Sequence, residues 1–352
     1  MKNFTKTAIL AIALFSFTVS STFAAKKELI GAGATFPYPF YSKIFNVYYQ
    51  KFDVKVNYQP IGSGGGIRQL LNRTVDFGAT DVFMSEKEVK TKDNYILHLP
   101  TCVGAVAVTY NLPGNPRLKL TPELIADIFL GKIKKWNEKK IVAVNPKVSL
   151  PNMNITVVHR SDGSGTTFVF SDYLSKISKE WKEKVGTGKV LNWPIGLGAK
   201  GNSGVAGLIK QIPGSIGYVE LTYALQNKMP VASIKNKSGK FVEPTITSVS
   251  LAANIDVPEH TCVSITDTEA EDGYPISSFT WLIFYKEQNY GGRDREKAEN
   301  LVKLLWWVIH EGQKFCEPLH YAPLPEKVVK KAENIIRSVV YNGKSLLEKS
   351  NP

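Results

Sequence analysis

Apolar residues in this chain recur in short runs that close on small polar residues, each followed by apolar positions at helical spacing. The first run, Glu28 to Ala34, predicts a strand that ends in Gly31-Ala32-Gly33-Ala34-Thr35-Phe36-Pro37. Pro37 suits the first turn of a helix, because its missing N–H would be unpaired there anyway. Tyr41, Ile44, Phe45 and Tyr48 then recur at helical spacing. Val54 to Tyr58 predicts a second strand, followed by the loop Gly62-Ser63-Gly64-Gly65-Gly66 and a helix through Ile67, Leu70 and Leu71. Val75 to Thr80 predicts a third strand, ending at Asp81. Each unit carries a hydroxyl or a carboxylate at the C-terminal end of its strand, which is where open α/β sheets bind ligands.

The pattern continues downstream. Cys102 to Tyr110 is a near-continuous apolar strand, and Leu120 to Leu130 predicts a helix opened by Thr121-Pro122-Glu123. After a loop at 131–137, Ile155 to Arg160 predicts a further strand. A second glycine-rich region, with Gly196, Gly198, Gly201 and Gly204, precedes a helix from Val205 to Gln211. Ser215 to Glu220 and Ile276 to Tyr285 are strands, and Glu296 to Trp307 and Glu326 to Val339 are closing helices. Residues 228–272 are polar and weakly patterned. The alternation argues an α/β fold. Strands 102–110 and 276–285 are placed to cross between two lobes. Lobe 1 is then discontinuous, 25–103 plus 272–352, and lobe 2 is 104–271, with a ligand cleft between them.

Composition narrows this picture. The chain has 352 residues, 43% hydrophobic and 21% charged, as expected of a globular protein of two lobes. Residues 1–24 carry the marks of a secretory signal: Lys2 and Lys6, an apolar run from Ala8 to Val19, and small residues around Ala24. That run is too short to span a bilayer. No cysteine lies near the cleavage site, so a lipoprotein-type anchor is not expected. Losing residues 1–24 removes Lys2 and Lys6 and no acid, lowering the net charge from +13 to +11. The lysines are scattered, apart from Lys132, Lys134 and Lys135, and no nucleic-acid motif accompanies them. Cys102, Cys262 and Cys316 allow one disulfide at most and leave a thiol over; spacing does not choose the pair.

The richest chemistry lies in Val157-Val158-His159-Arg160-Ser161-Asp162-Gly163-Ser164-Gly165-Thr166-Thr167-Phe168, a strand, a turn and a helix start. Arg160 offers a planar fork of donors that matches two oxygens of a tetrahedral oxyanion. Ser164, Thr166 and Thr167 offer hydroxyls. Gly163 and Gly165 allow close backbone approach, and the helix start contributes free N–H groups and the positive end of its dipole. Asp162 is expected to hold Arg160 in position. A capped helix start would use similar residues, but the three earlier strand ends favour an anion site.

The motifs, in their order, resemble the periplasmic phosphate-binding proteins that serve Pst-type ATP-driven phosphate importers. The likeness rests on Gly31 to Pro37, Ile61 to Gly66, Val75 to Asp81 and Arg160 to Thr166. Ile128 to Trp136, Gly186 to Gly188, Trp193 to Gly198, Gly214 to Glu220 and Tyr321 to Pro325 extend it over essentially the whole mature chain; Ala253 to Asp272 matches poorly. The resemblance implies a two-lobed, type II-like periplasmic binding protein with a hinge and an interlobe cleft. It implies phosphate ligands at Thr35, Phe36 through its backbone N–H, Ser63, Asp81, Arg160, Ser164, Gly165 and Thr166, with Asp162 tied to Arg160. The implied partners are inorganic phosphate and the inner-membrane permease of a phosphate ABC importer. A monomer is expected, with no cofactor, no metal and no nucleic acid.

Two other readings compete. A phosphate-releasing enzyme needs a metal cluster or an activated nucleophile. His98, His159, His260, His310 and His320 lack ligand-like spacing, and His159 should face away from Arg160 across its strand. Ser164 lacks the Gly-x-Ser-x-Gly elbow, since Asp162 stands where the first Gly would be. An exported polyanion-binding protein would rest only on the Lys132–Lys135 cluster.

Overall fold

A computed structural model of the chain describes residues 27–92 and 94–347; the expected signal segment, 1–24, lies outside them. Eight strands form one sheet in the order Lys55–Gln59, Glu28–Gly33, Phe77–Thr80, Ser277–Tyr285, Ile96–Tyr110, Ser215–Glu220, Thr156–Arg160 and Leu197–Ala199. The first three are mutually parallel, as are the last three. Ser277–Tyr285 and Ile96–Tyr110 run antiparallel between these two groups.

Ile96–Tyr110 begins six residues earlier than its apolar run predicts, and its two halves pair with different neighbours. Ile96 to Ala105 pairs with Ser277–Tyr285, and Val106 to Tyr110 pairs with Ser215–Glu220. All but one of its 15 residues are buried, because helices including Arg295–Ile309, Glu326–Arg337, Ile246–Ala252 and Gly165–Ile177 pack against it. Its register against Ser277–Tyr285 shifts at Thr280/Trp281. Pro100 can donate nothing to the ladder there, and Thr101 is the extra residue of the bulge. Thr101 Oγ1 instead donates to the Thr280 carbonyl (3.3 Å) and meets the Tyr41 hydroxyl (2.9 Å).

The helical spacing after Pro37 produces the helix Tyr38–Phe52, which buries Phe40, Tyr41, Ile44, Phe45 and Tyr48 against the sheet. Pro37 itself sits just before the helix, at its N-cap, rather than inside the first turn. The glycine runs also differ from expectation. Ser63 to Gly66 is the first turn of the helix Ser63–Leu71, and Gly201 to Gly204 is the first turn of Gly201–Gln211. Close approach explains the first case. A Cβ on Gly66 would lie 2.5 Å from the Ala32 carbonyl and 2.5 Å from Gly33 Cα. The glycines therefore let a helix press on the neighbouring strand, which local spacing cannot reveal.

The poorly matching stretch 253–272 holds no regular element beyond isolated bridges. It is fastened by side chains: Ser264 and Thr266 hydroxyls donate to Asp172 Oδ2, each at 2.6 Å, and Lys176 Nζ donates to the Thr266 carbonyl at 3.0 Å. The short helices Lys139–Val144, Lys179–Lys184 and Leu221–Gln226 are not apparent in the pattern, because six residues are too few to show a helical period. Cys102, Cys262 and Cys316 are free thiols, the first and last buried, so the disulfide that the count permits does not form.

Candidate functional site

The strand ends singled out in the sequence converge. Thr35 and Phe36 follow Glu28–Gly33, Ser63 opens the helix after Lys55–Gln59, and Asp81 follows Phe77–Thr80. Arg160 is the last residue of its strand, and Ser164 is the N-cap of Gly165–Ile177. Thr35, Phe36, Ser63, Asp81, Arg160, Ser164, Gly165 and Thr166 are all buried. So many polar groups at the interior end of a sheet need partners or a ligand.

Arg160 and Asp162 form the expected pair. Nε donates to Oδ1 at 2.8 Å and Nη2 to Oδ2 at 2.6 Å. The Gly201 N–H, at the start of a helix, donates to the same Oδ1 at 3.0 Å. Burial raises the Asp162 pKa, but the hydrogen bonds and charge of Arg160 outweigh it and hold the carboxyl below its usual range. Of the five guanidinium hydrogens, Asp162 takes one from Nε and one from Nη2. Nη1 reaches Thr166 Oγ1 at 3.4 Å. The Nη1/Nη2 end of the fork remains for an oxyanion. His159 points the other way, stacked on Trp193 with ring centres 4.6 Å apart.

The first and middle parts of the chain touch here. Gly165 N–H donates to Ser63 Oγ (3.1 Å), and Gly64 N–H donates to the Gly163 carbonyl (2.9 Å). Gly165 is where the contact is tightest. A Cβ on it would stand 2.5 Å from both Asp81 Oδ2 and Ser63 Oγ, too close for any real atom. Its backbone suits alanine, because the residue lies in the first turn of a helix. Gly165→Ala is therefore expected to leave the melting temperature nearly unchanged but to wedge the two segments apart. That should weaken anion binding by about 1–3 kcal/mol, the usual range for overpacking. Direct titration checks this, and unchanged affinity would show that the two segments need not meet.

Asp81 is buried, and burial pushes its pKa up to about 7 against smaller opposing effects of Thr280, Arg160 and Ser63. Thr280 Oγ1 donates to Asp81 Oδ1 at 2.8 Å. Oδ2 lies on the side of Ser63 and Gly165. Asp81 caps no helix: the next one, Glu86–Val89, is capped by Ser85. Phe36 is fully buried, and its N–H has no partner among the described residues. Its carbonyl accepts from the Tyr321 hydroxyl at 2.7 Å, and the Thr35 carbonyl accepts from the Tyr223 hydroxyl at 2.6 Å.

Several supporting residues were not marked by the sequence: Thr280, Tyr223 and Tyr321, together with Asn202, Glu220 and Tyr218, whose hydroxyl accepts the Arg160 N–H at 3.3 Å and meets Thr167 Oγ1 at 2.6 Å. Asn202 carried a signal, since it opens a helix after a strand, as Ser63 and Thr166 do. Thr280 carried another, a hydroxyl inside a fully buried strand. Glu220 is a fully buried carboxyl behind the site. Its Oε2 accepts from Thr222 N–H (3.0 Å) and lies 3.0 Å from the Tyr321 hydroxyl; Oε1 is 3.1 Å from Thr222 Oγ1. Those two hydroxyls also face the carbonyls of Phe36 and Leu319. Two hydroxyl protons thus serve three acceptor groups, and a proton on Glu220 completes the set.

Burial accordingly pushes the Glu220 pKa from 4.5 to about 8, against the hydrogen bonds of Thr222 and Tyr321 and with a smaller upward push from Asp81. Because the folded pKa is raised, the stabilising proton is fully in place below about 4.5 and is lost as pH rises through about 8. Glu220→Gln keeps the shape without the ionisation. Thermal melts should find it close to wild type at pH 5 and more stable than wild type at pH 9; a constant difference across that range would rule out the buried proton.

Residues 18–306 match the PBP superfamily domain. The chain is 43% identical to a phosphate-binding protein PstS of Haemophilus influenzae over 312 residues, covering 87% of this chain and 92% of that one. It is 42% identical to its counterpart in Pasteurella multocida over 334 residues, covering 94% and 95%. A solved high-affinity periplasmic phosphate-binding protein (PfluDING) bound with phosphate superposes with a TM-score of 0.72 at 20% identity, covering 87% of this chain and 93% of that one. A human phosphate-binding apolipoprotein superposes with a TM-score of 0.71 at 18% identity, covering 90% and 99%. These structural likenesses speak for the fold.

Proposed function

The chain belongs to the PstS family of phosphate-binding proteins within the PBP superfamily, and from that premise we propose that it binds inorganic phosphate in the periplasm and delivers it to the inner-membrane permease of an ABC importer. The observation that carries the proposal is the buried convergence of one Arg160 fork, hydroxyls from Thr35, Ser63 and Thr166, and one carboxylate, Asp81. Neutral donors and a delocalised cation suit a dehydrated anion. A single acceptor suits an anion that still carries a proton, as phosphate does at neutral pH. Thr35, Phe36, Ser63, Asp81, Arg160, Ser164, Gly165 and Thr166 are the proposed ligands, and Asp162 orients Arg160.

The signal segment 1–24 supports export, and among the described residues no helix is long and apolar enough to cross a membrane. The proposed lobes are 25–103 with 272–352, and 104–271. Their ligand residues complete one set only when the lobes close, so phosphate favours closure through contacts the open form lacks; Gly165→Ala is the variant that tests this. The protein is proposed to act as a monomer and as a carrier, without turnover. Calorimetric titration of the phosphate-stripped protein with phosphate, sulfate and arsenate tests the function. Tight phosphate binding with sulfate rejected is expected. No phosphate binding, or hydrolysis of a phosphate monoester by pure protein, would overturn it.

A further inference from the structure

A hydroxyl in an anion site has one proton and two lone pairs, and only the proton attracts an anion. What occupies the lone pairs decides which way the proton can point. Thr35 Oγ1 accepts twice from Asn202, from its backbone N–H at 3.3 Å and from Nδ2 at 2.8 Å. Thr166 Oγ1 accepts from the same Nδ2 at 3.1 Å and from Arg160 Nη1 at 3.4 Å. Both hydroxyls have therefore spent their accepting capacity and keep only their O–H. The amide cannot be turned round. Its Oδ1 accepts the Glu220 backbone N–H at 2.9 Å, and a flipped amide would set N–H₂ against N–H. Asn202 is fully buried, so water offers no substitute.

We infer that Asn202 is a positioning residue for phosphate: by filling the lone pairs of Thr35 and Thr166 it commits both hydroxyl protons to the bound anion. The inference rests on the phosphate-binding reading and deepens it. Thr35 belongs to the first strand unit and Thr166 to the middle of the chain, so one amide sets a donor on each side of the site. Ser63 likewise spends its accepting capacity without Asn202, since its Oγ accepts the N–H groups of Gly165 (3.1 Å) and Asp81 (3.3 Å), and its own proton lies toward Asp81 Oδ2 at 3.5 Å. The site thus presents hydroxyls as obligate donors. Without the Asn202 amide, each threonine hydroxyl regains an open lone pair that can face the anion, and it must be reoriented on binding.

The test is a cycle of phosphate titrations on the full, phosphate-stripped chain: wild type, Asn202→Ala, Thr35→Val with Thr166→Val, and all three together. Asn202→Ala is expected to weaken phosphate binding roughly 10- to 100-fold in the wild-type background, the scale of losing well-aligned hydrogen bonds to a charged group. In the double-valine background, where no hydroxyl remains to be aimed, it should cost less than about threefold. An equal or larger loss in both backgrounds would mean that Asn202 only supports packing, and no loss in either would remove it from the site. Either result overturns the inference. Absence of phosphate binding by the wild type would instead overturn the functional reading. Melting temperatures establish that each variant is folded. If Asn202→Ala does not fold, Asn202→Ser, with one donor in place of two, is read in the same cycle and should give a smaller, equally background-dependent loss.

Discussion

Arg160→Ala is expected to weaken phosphate binding by about 3 kcal/mol or more, roughly two orders of magnitude. Two effects add. The variant loses the free Nη1/Nη2 end of the fork, a charge-assisted contact. It also leaves Asp162 near the anion with its two guanidinium bonds gone, retaining only the Gly201 N–H as a partner among these contacts. The second effect separates this prediction from a simple loss of one contact. Removing both members, Arg160→Ala with Asp162→Ala, should bind better than Arg160→Ala alone, because the exposed negative charge goes with its partner. Arg160→Lys should recover little, since one ammonium cannot hold Asp162 through two bonds and still face the ligand. Titration of the folded variants decides the matter. Wild-type affinity in Arg160→Ala would place the anion elsewhere.

Much of the candidate site was legible in the chain because its residues are grouped locally. Thr35, Ser63 and Asp81 each stand just beyond a strand, and Arg160 to Thr166 lie within seven residues, so short motifs carried both the chemistry and its place on the fold. The Arg160–Asp162 pair was legible for the same reason. The supporting groups were not, because their meaning is set by sheet order. Tyr321 reaches Phe36 across 285 residues, and Thr280 reaches Asp81 across 199. The hydroxyl of Thr280 inside a buried strand was a signal, but nothing local in either residue names the partner it reaches. The glycines at 62–66 show the converse difficulty. Spacing marks them as a break, whereas Ser63 to Gly66 form the first turn of a helix, which Gly66 lets press on Ala32 and Gly33. Asn202 lies between these cases: its strand-to-helix position was visible, but the two hydroxyls it serves belong to other segments.

The sharpest consequence for specificity concerns Asp81. A carboxylate in an anion site should repel its ligand unless the ligand brings a proton. Thr280 already donates to Oδ1, while Oδ2 meets only the long 3.5 Å contact from the Ser63 hydroxyl, so Oδ2 is the oxygen with capacity left to accept. Phosphate at neutral pH can supply that O–H; sulfate cannot, and its oxygen would face the carboxylate lone pairs in a buried space. The mismatch should cost several kcal/mol, part repulsion and part unmet acceptor. Asp81→Asn replaces the obligate acceptor with a group that can turn N–H₂ to the ligand. Phosphate should still bind, while the preference over sulfate shrinks at least about tenfold, a change of about 1.4 kcal/mol. Acid should do the same in the wild type. Burial pushes the Asp81 pKa up to about 7, so below that pH the empty site carries a proton of its own and can donate. The sulfate penalty is therefore expected to be largest above pH 7 and to fall as pH drops through it. In Asp81→Asn only the pH dependence of phosphate's own ionisation should remain. Competitive titrations of phosphate and sulfate at pH 5.5 and 8.5 on both proteins measure all four values. An equal sulfate penalty in wild type and Asp81→Asn at pH 8.5 would show that another group reads the proton.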